Sequence, residues 1–222
     1  LNDGQEYSIN IRGKDFAGNE SEILSVNQIT YDISPPRLAM GRPSSNSFVN
    51  TLDVVYQSNE PLISGQMVWI DTKGQPLDFE IRSDDLTEGR HTLVEYGVEP
   101  TEGISYSILI KGTDRAINEG VSDTITNVMF DITPPQLTLI SFQPNGSVNH
   151  TKVSIDINEA ITGGSIRWQT IEGNDPNSPH IRPIPDAQLA GGRFENIEMA
   201  TPPNLVDGVV YDITIDGTDL AG

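Results

Sequence analysis

Among the polar residues of this 222-residue chain, carboxylates are the set that recurs at a fixed interval. Asp15, Asp32 and Glu60 are each followed ninety-nine positions later by another acid, Asp114, Asp131 and Glu159, and Asn19 and Asn118 keep the same interval. Calcium takes roughly six to eight oxygen ligands, so acids gathered from several loops at one pole of a domain suit it, and its binding would stiffen the joint they come from. These six acids are the candidate metal ligands, and calcium is the one cofactor they suggest. Each also has a plainer reading. A turn Asp commonly accepts hydrogen bonds from its own backbone, which would account for Asp15 and Asp114. Asp32 and Asp131 precede proline pairs that they could support, and Glu60 and Glu159 could end a strand and point to water. The spacing of an EF-hand calcium loop is absent.

No set of residues suits catalysis. His91, His150 and His180 do not recur at the interval and stand in neither a metal nor a triad spacing, so they read as isolated surface histidines. There are no cysteines, which removes thiol catalysis and disulfide frameworks together. Paired carboxylates are inevitable in so acidic a chain and do not argue for glycoside hydrolysis without a cleft. Glycine-rich phosphate loops are missing, and Gly163-Gly164 and Gly191-Gly192 read as hairpin or bulge glycines. The chain is read as non-enzymatic.

The elements that must position the acids emerge from an internal repeat. Asp3-Gly4-Gln5-Glu6-Tyr7-Ser8-Ile9 returns as Glu102-Gly103-Ile104-Ser105-Tyr106-Ser107-Ile108. Tyr31-Asp32-Ile33-Ser34-Pro35-Pro36 returns as Phe130-Asp131-Ile132-Thr133-Pro134-Pro135, and Trp69 returns as Trp168. A third copy of the first motif, Asp207-Gly208-Val209-Val210-Tyr211-Asp212-Ile213, comes 105 residues after the second, counted from Tyr106 to Tyr211. The six additional residues fall between Trp168 and Tyr211, with Glu172 to Pro179 as the expected insertion. The expected organisation is 1–31, the last strands of one repeat; 32–131, a complete repeat; and 132–222, a repeat without its final strand. More repeats are expected on both sides.

Within each copy the pattern is that of short strands. Leu52 to Tyr56, Val153 to Ile157, Gln66 to Ile70 and Ser165 to Trp168 are rich in β-branched or apolar residues, and Tyr106 to Ile110 and Tyr211 to Ile215 alternate with period two. Helix is expected only as single turns. About seven strands in roughly one hundred residues fit a two-sheet sandwich. Trp69 and Trp168 fall where the third strand places a core indole; exposed, they would instead stack on a sugar ring. Tyr7, Tyr106 and Tyr211 open the penultimate strand, the place of a tyrosine corner. Pro35-Pro36 and Pro134-Pro135 make short, stiff joints, because proline fixes φ and favours extended backbone before it. The expected fold class is therefore all-β: tandem immunoglobulin-like, or fibronectin III-like, β-sandwiches joined by Pro-Pro junctions.

Composition narrows the partners. Thirty-two acidic against thirteen basic residues give a net charge of −19, the wrong sign for a phosphate backbone, so nucleic acid is excluded as a partner. No apolar run reaches membrane-spanning length, and direct membrane insertion is not expected of this stretch.

The motifs resemble those of bacterial immunoglobulin-like repeats in very large surface proteins and adhesins. Gly13-Lys14-Asp15-Phe16-Ala17-Gly18-Asn19, Gly112-Thr113-Asp114-Arg115-Ala116-Ile117-Asn118 and, in part, Gly217-Thr218-Asp219-Leu220-Ala221-Gly222 resemble the Gly-x-Asp-x-Ala-Gly-Asn turn of that family. Asp32-Ile33-Ser34-Pro35-Pro36 and Asp131-Ile132-Thr133-Pro134-Pro135 match its Asp-x-Thr-Pro-Pro junction. Ile117 replaces the glycine in the middle copy, a departure that argues against an identical turn there. The resemblance implies a non-catalytic stalk or spacer of a cell-surface or secreted protein, with adjacent repeats as its immediate partners. The alternative is an ancillary module binding a surface protein or a glycan within a surface enzyme or sensor.

Overall fold

The computed structural model describes residues 1–94 and 100–222 and divides into two compact units. The first comprises Leu1–Asn46, Leu52–Pro100 and Ile104–Val128; the second comprises Ser47–Thr51, Thr101–Gly103 and Met129–Gly222. Helix among the described residues is limited to two single 3₁₀ turns, Ser83–Asp85 and Asp186–Gln188. No helix among them is long and apolar enough to cross a membrane.

The first unit opens with an antiparallel hairpin of β1 (Gln5–Ile11) and β2 (Leu24–Tyr31). Strand β3 (Leu38–Arg42) follows, then β4 (Phe48–Val49), whose residues belong to the second unit. After these come β5 (Val54–Ser58), β6 (Ser64–Asp71), β7 (Pro76–Glu80), β8 (Gly89–Leu93), β9 (Ser105–Thr113), β10 (Glu119–Val121) and β11 (Ile125–Phe130). One sheet has the order β3-β5-β8; the other has β11-β9-β6-β7, with β10 also paired to β9. Lettered in chain order, these are A-B-E and G-F-C-C′. The fourth strand joins C, whereas the constant-type immunoglobulin domain places it beside E, so the sandwich is of the fibronectin III-like kind.

Alternation explains the core. Trp69 on β6 is wholly buried and stands opposite Ile108 on β9, which is also fully buried, as are Tyr56, Met67 and Ile110. The hairpin β1-β2 carries the same alternation with a different outcome. Tyr7, Ile9 and Ile11 pair with Ile29, Val26 and Leu24. Ile9 and Ile11 are 51% and 60% exposed, although Ile108 and Ile110, their counterparts ninety-nine positions on, are at 0%. No second sheet covers that face among the described residues.

In the second unit β12 (Leu137–Leu139), β13 (Val153–Ile157) and β16 (Gly192–Ile197) form one sheet, ordered β12-β13-β16. The other consists of β14 (Ile161–Glu172), β15 (His180–Pro183) and β17 (Val210–Asp219), ordered β15-β14-β17. These are again A-B-E and C′-C-F. Trp168, 1% exposed, joins Val153, Ile155, Ile157, Ile166 and Ile184 in one core. Met129 and Phe130, the end of β11, pair in parallel with Phe48 and Val49.

Recurring residues hold recurring geometry. Tyr7 Oη accepts the Asn2 N–H at 2.7 Å, and Tyr211 Oη accepts the Val206 N–H at 2.9 Å, each five residues upstream, which is a tyrosine corner. Tyr106 is buried and meets Trp69 edge-on, with ring centroids 5.7 Å apart. Asn59 Oδ1 accepts the Arg37 N–H just past one proline pair, as Asn158 Oδ1 accepts that of Gln136 past the other.

Candidate cation site and a buried polar network

Three of the six sequence-selected acids meet. One carboxylate oxygen each from Asp32, Glu60 and Asp114 lies within 4.8 Å of the other two, and this is the one such group of three among the described residues. Asp32 follows β2, Glu60 follows β5, and Asp114 follows β9, so the end of a preceding hairpin, the B–C turn and the F–G turn converge within the first unit. Asp32 and Glu60 also line an open depression with Thr30, Pro61, Arg115 and Ala116.

Asp114 is fixed before any ligand arrives. It is 1% exposed; Oδ1 accepts the N–H groups of Ala116 at 2.7 Å and Asn118 at 2.9 Å, and Oδ2 accepts the Asn118 side-chain amide at 2.9 Å. That amide also donates to the Asp32 carbonyl at 3.3 Å, tying the junction to the turn. Burial pushes the Asp114 carboxyl up, but the hydrogen bonds from Asn118, Ala116 and Ile117 outweigh it and hold the group below its usual range. Glu60 moves the other way: burial raises its carboxyl, and the neighbouring Asp114 and Asp32 raise it further. A carboxylate destabilised by two others is what a bound cation would relieve. With one oxygen from each, the three side chains would supply three ligands, and main-chain carbonyls or water would have to complete a calcium shell.

The other three acids are placed differently. Asp15 is exposed, and its carboxylate accepts the Asn19 N–H at 2.8 Å and the Asn19 amide at 2.9 Å, so it closes its own turn. Asn19's bonds hold its carboxyl below the ordinary value. Asp131 accepts the Thr133 N–H at 3.2 Å, just as Asp32 accepts that of Ser34 at 3.1 Å, which supports the proline junction. Asp131 and Glu159 are not gathered with a third acid among the described residues. Asp131 does line a depression with Asp219, the residue that occupies the place of Asp114 in the third copy of the turn. Asp219 escaped the sequence-based selection, although the 105-residue interval pointed to it.

The turn itself is the same in the first two copies despite Ile117. Asp15 and Asp114 each donate their N–H to Asn19 and Asn118, and Gly18 and Ile117 donate back to Asp15 and Asp114. Ile117 is forced to φ +71°, against +94° for Gly18. The Asn118 and Asp114 bonds impose the glycine conformation on a β-branched residue.

A second polar cluster corrects the reading of His180 as a surface residue. His180 stands opposite Trp168 in the β14-β15 register, where Leu77 stands opposite Trp69, and it is buried. Its Nε2 lies 2.7 Å from Asp175 Oδ2, and the same oxygen accepts the Tyr211 hydroxyl at 2.6 Å. Asp175 Oδ1 accepts the Asn177 N–H at 2.9 Å. The Tyr211 and His180 bonds bring the Asp175 carboxyl down to about 2. Asp175 lies in the expected insertion, so part of the extra length supplies a buried acid to a core histidine. His91 is half-buried and its Nε2 lies 2.8 Å from the Thr87 carbonyl oxygen; His150 is exposed.

No family model matches the chain, and no curated protein matches it in sequence. Solved structures do. The FN1–FN3 domains of chicken CNTN1 match at 12% identity and a TM-score of 0.38, over 99% of this chain and 72% of that one. A tetra-tandem repeat from the extending region of a large adhesion protein matches at 15% and 0.35, over 97% and 57%. A 1.5-MDa bacterial ice-binding adhesin matches at 12% and 0.30, over 96% and 73%. The strand orders themselves define the class: tandem all-β sandwiches of the immunoglobulin and fibronectin III type.

Proposed function

We propose that the chain is a non-catalytic repeat module of a cell-surface or secreted protein, acting as a stalk or spacer that carries adhesive domains. The observation that carries this reading is that the recurring residues serve scaffold roles. Trp69 and Trp168 are core indoles, Tyr7 and Tyr211 form corners, and Asn59 and Asn158 stitch the segment after each proline pair. Burial of both indoles also removes the faces on which a sugar ring would stack. Arrays of increasing repeat number should show by small-angle scattering a maximum dimension that grows in proportion to the count. A dimension that levels off as repeats are added would overturn the spacer role.

Within this reading Asp32, Glu60 and Asp114 take calcium, and the ion ties the Asp32 junction to the two turns. A ligand held only by the folded form raises the melting temperature. Millimolar calcium should therefore raise the first unit's midpoint, and Glu60→Gln should abolish the response. An unchanged midpoint in the wild-type chain would remove calcium from the proposal and leave the spacer role standing.

A further inference from the structure

We propose that Asn145 is a site of spontaneous modification in the folded chain, converting through a cyclic imide to aspartate and isoaspartate. Sixteen asparagines occur in the sequence, and Asn145 is the one followed by glycine. With no Cβ, Gly146 lets its main-chain nitrogen approach the preceding side chain, a close approach that other residues hinder.

The fold leaves this pair accessible. It lies between β12 and β13, and every residue of 143–150 is exposed. Pro144 and Asn145 occupy the centre of a turn closed by one hydrogen bond, from Gly146 N–H to the Gln143 carbonyl at 3.0 Å, with Asn145 at φ +60°. Proline followed by a residue of positive φ is the type II pattern. Asn59 and Asn158 use their side chains to hold the proline junctions, and Asn19 and Asn118 use theirs to close the Asp turns. Asn145 makes no side-chain hydrogen bond among the described residues. Opening its turn breaks a single exposed main-chain bond, the kind of local event that costs least in a loop.

Once the turn opens, the deprotonated Gly146 nitrogen attacks Asn145 Cγ. The new C–N bond closes a five-membered imide, the Cγ–Nδ2 bond breaks, and the nitrogen leaves as ammonia. Water then opens the ring at either carbonyl, giving aspartate or isoaspartate. Each event replaces an amide with a carboxylate, adding one negative charge to a chain already at −19. The isoaspartate product also lengthens the main chain by a methylene, so the Gln143–Gly146 turn cannot re-form.

The test is prolonged incubation of the native chain in mildly alkaline buffer. Peptide mass spectrometry would locate the products, and enzymatic methylation of isoaspartate would count them. Position 145 should lose its amide ahead of every other asparagine, with isoaspartate as the main product, and Asn145→Gln should remove that signal. Isoaspartate at 145 that forms only in urea-unfolded chain would overturn the proposal, as would faster loss at any other asparagine of the folded protein.

Discussion

In the first unit the residue opposite the core tryptophan is Leu77, and the charged residues gather outside the core, at Asp32, Glu60 and Asp114. In the second unit the equivalent position holds His180, and a carboxylate enters the core region to meet it. Both sandwiches share strand order, a buried indole and proline junctions of the same pattern. They diverge where loop length diverges: eight positions separate Trp69 from its partner Leu77, and twelve separate Trp168 from His180. The longer hairpin reaches back with Asp175, and Tyr211 donates its hydroxyl to that acid while accepting from Val206. A sandwich thus tolerates a buried polar group when a loop supplies its hydrogen-bond partners, as Asp175 does for His180 and as Ala116 and Asn118 do for Asp114.

The largest expected effect tests whether the two cores are independent. Trp69→Ala and Trp168→Ala should each cost about 3–5 kcal/mol, the usual range for truncating a buried aromatic. Hydrogen exchange should report the loss in the unit that carries the substitution. Equal loss of protection in both units for either variant would make them one cooperative body.

Next is the polar network. Asp175→Ala leaves a buried imidazole and a half-buried hydroxyl without their acceptor, and removing one partner of a buried pair is strongly destabilising. The second unit's melting midpoint should fall clearly and the first unit's should stay. Combining Asp175→Ala with His180→Leu restores the leucine of the first unit and should recover much of the loss, because an apolar replacement of a whole buried pair is often neutral. No recovery would mean that the hairpin needs the network for its conformation.

A smaller effect, of opposite sign, is expected at Ile117. Its left-handed backbone costs roughly 1–2 kcal/mol, and glycine gives back part of that in chain entropy. Ile117→Gly should therefore stabilise the first unit by about 0.5–1 kcal/mol in urea denaturation.

The last effect separates the units by pH. Glu60 has a folded pKa above 4.5, so its contribution is fully present below that value and is lost as pH rises through the raised one. Acidification from neutral toward 4.5 should raise the first unit's midpoint slightly. Asp175 titrates near 2 when folded against 3.8 otherwise, so its contribution is full above 3.8 and lost as pH falls through about 2. Below pH 3.8 the second unit should weaken. Asp114 opposes Glu60 only below 3.8, because its folded value is depressed from there.

Much of the architecture was legible from particular residues. The period-two runs at Tyr106 and Tyr211 and the recurring Trp69 and Trp168 announced strands and core, because burial on one face of a strand writes itself into alternate positions. The candidate site was half legible. The interval marked Asp32, Glu60 and Asp114, but the same interval marked Asp15, Asp131 and Glu159, which are not gathered with them. Whether repeated acids meet depends on which turns share a pole and on what hydrogen bonds already claim them.

His180 and Asp175 were hidden for a related reason: neither recurs, and their significance lies in a contact across a hairpin whose length is peculiar to one copy. The sequence by itself determined the repeat, the strands and the buried indoles, since these follow from local periodicity and from side chains that water rejects. Tertiary structure alone decided which carboxylates converge, that Ile117 would adopt a glycine's conformation, and that a histidine would be interior. The first depends on partners distant in the chain; the other two depend on hydrogen bonds with Asp114, Asn118 and Asp175 nearby, which override local preference.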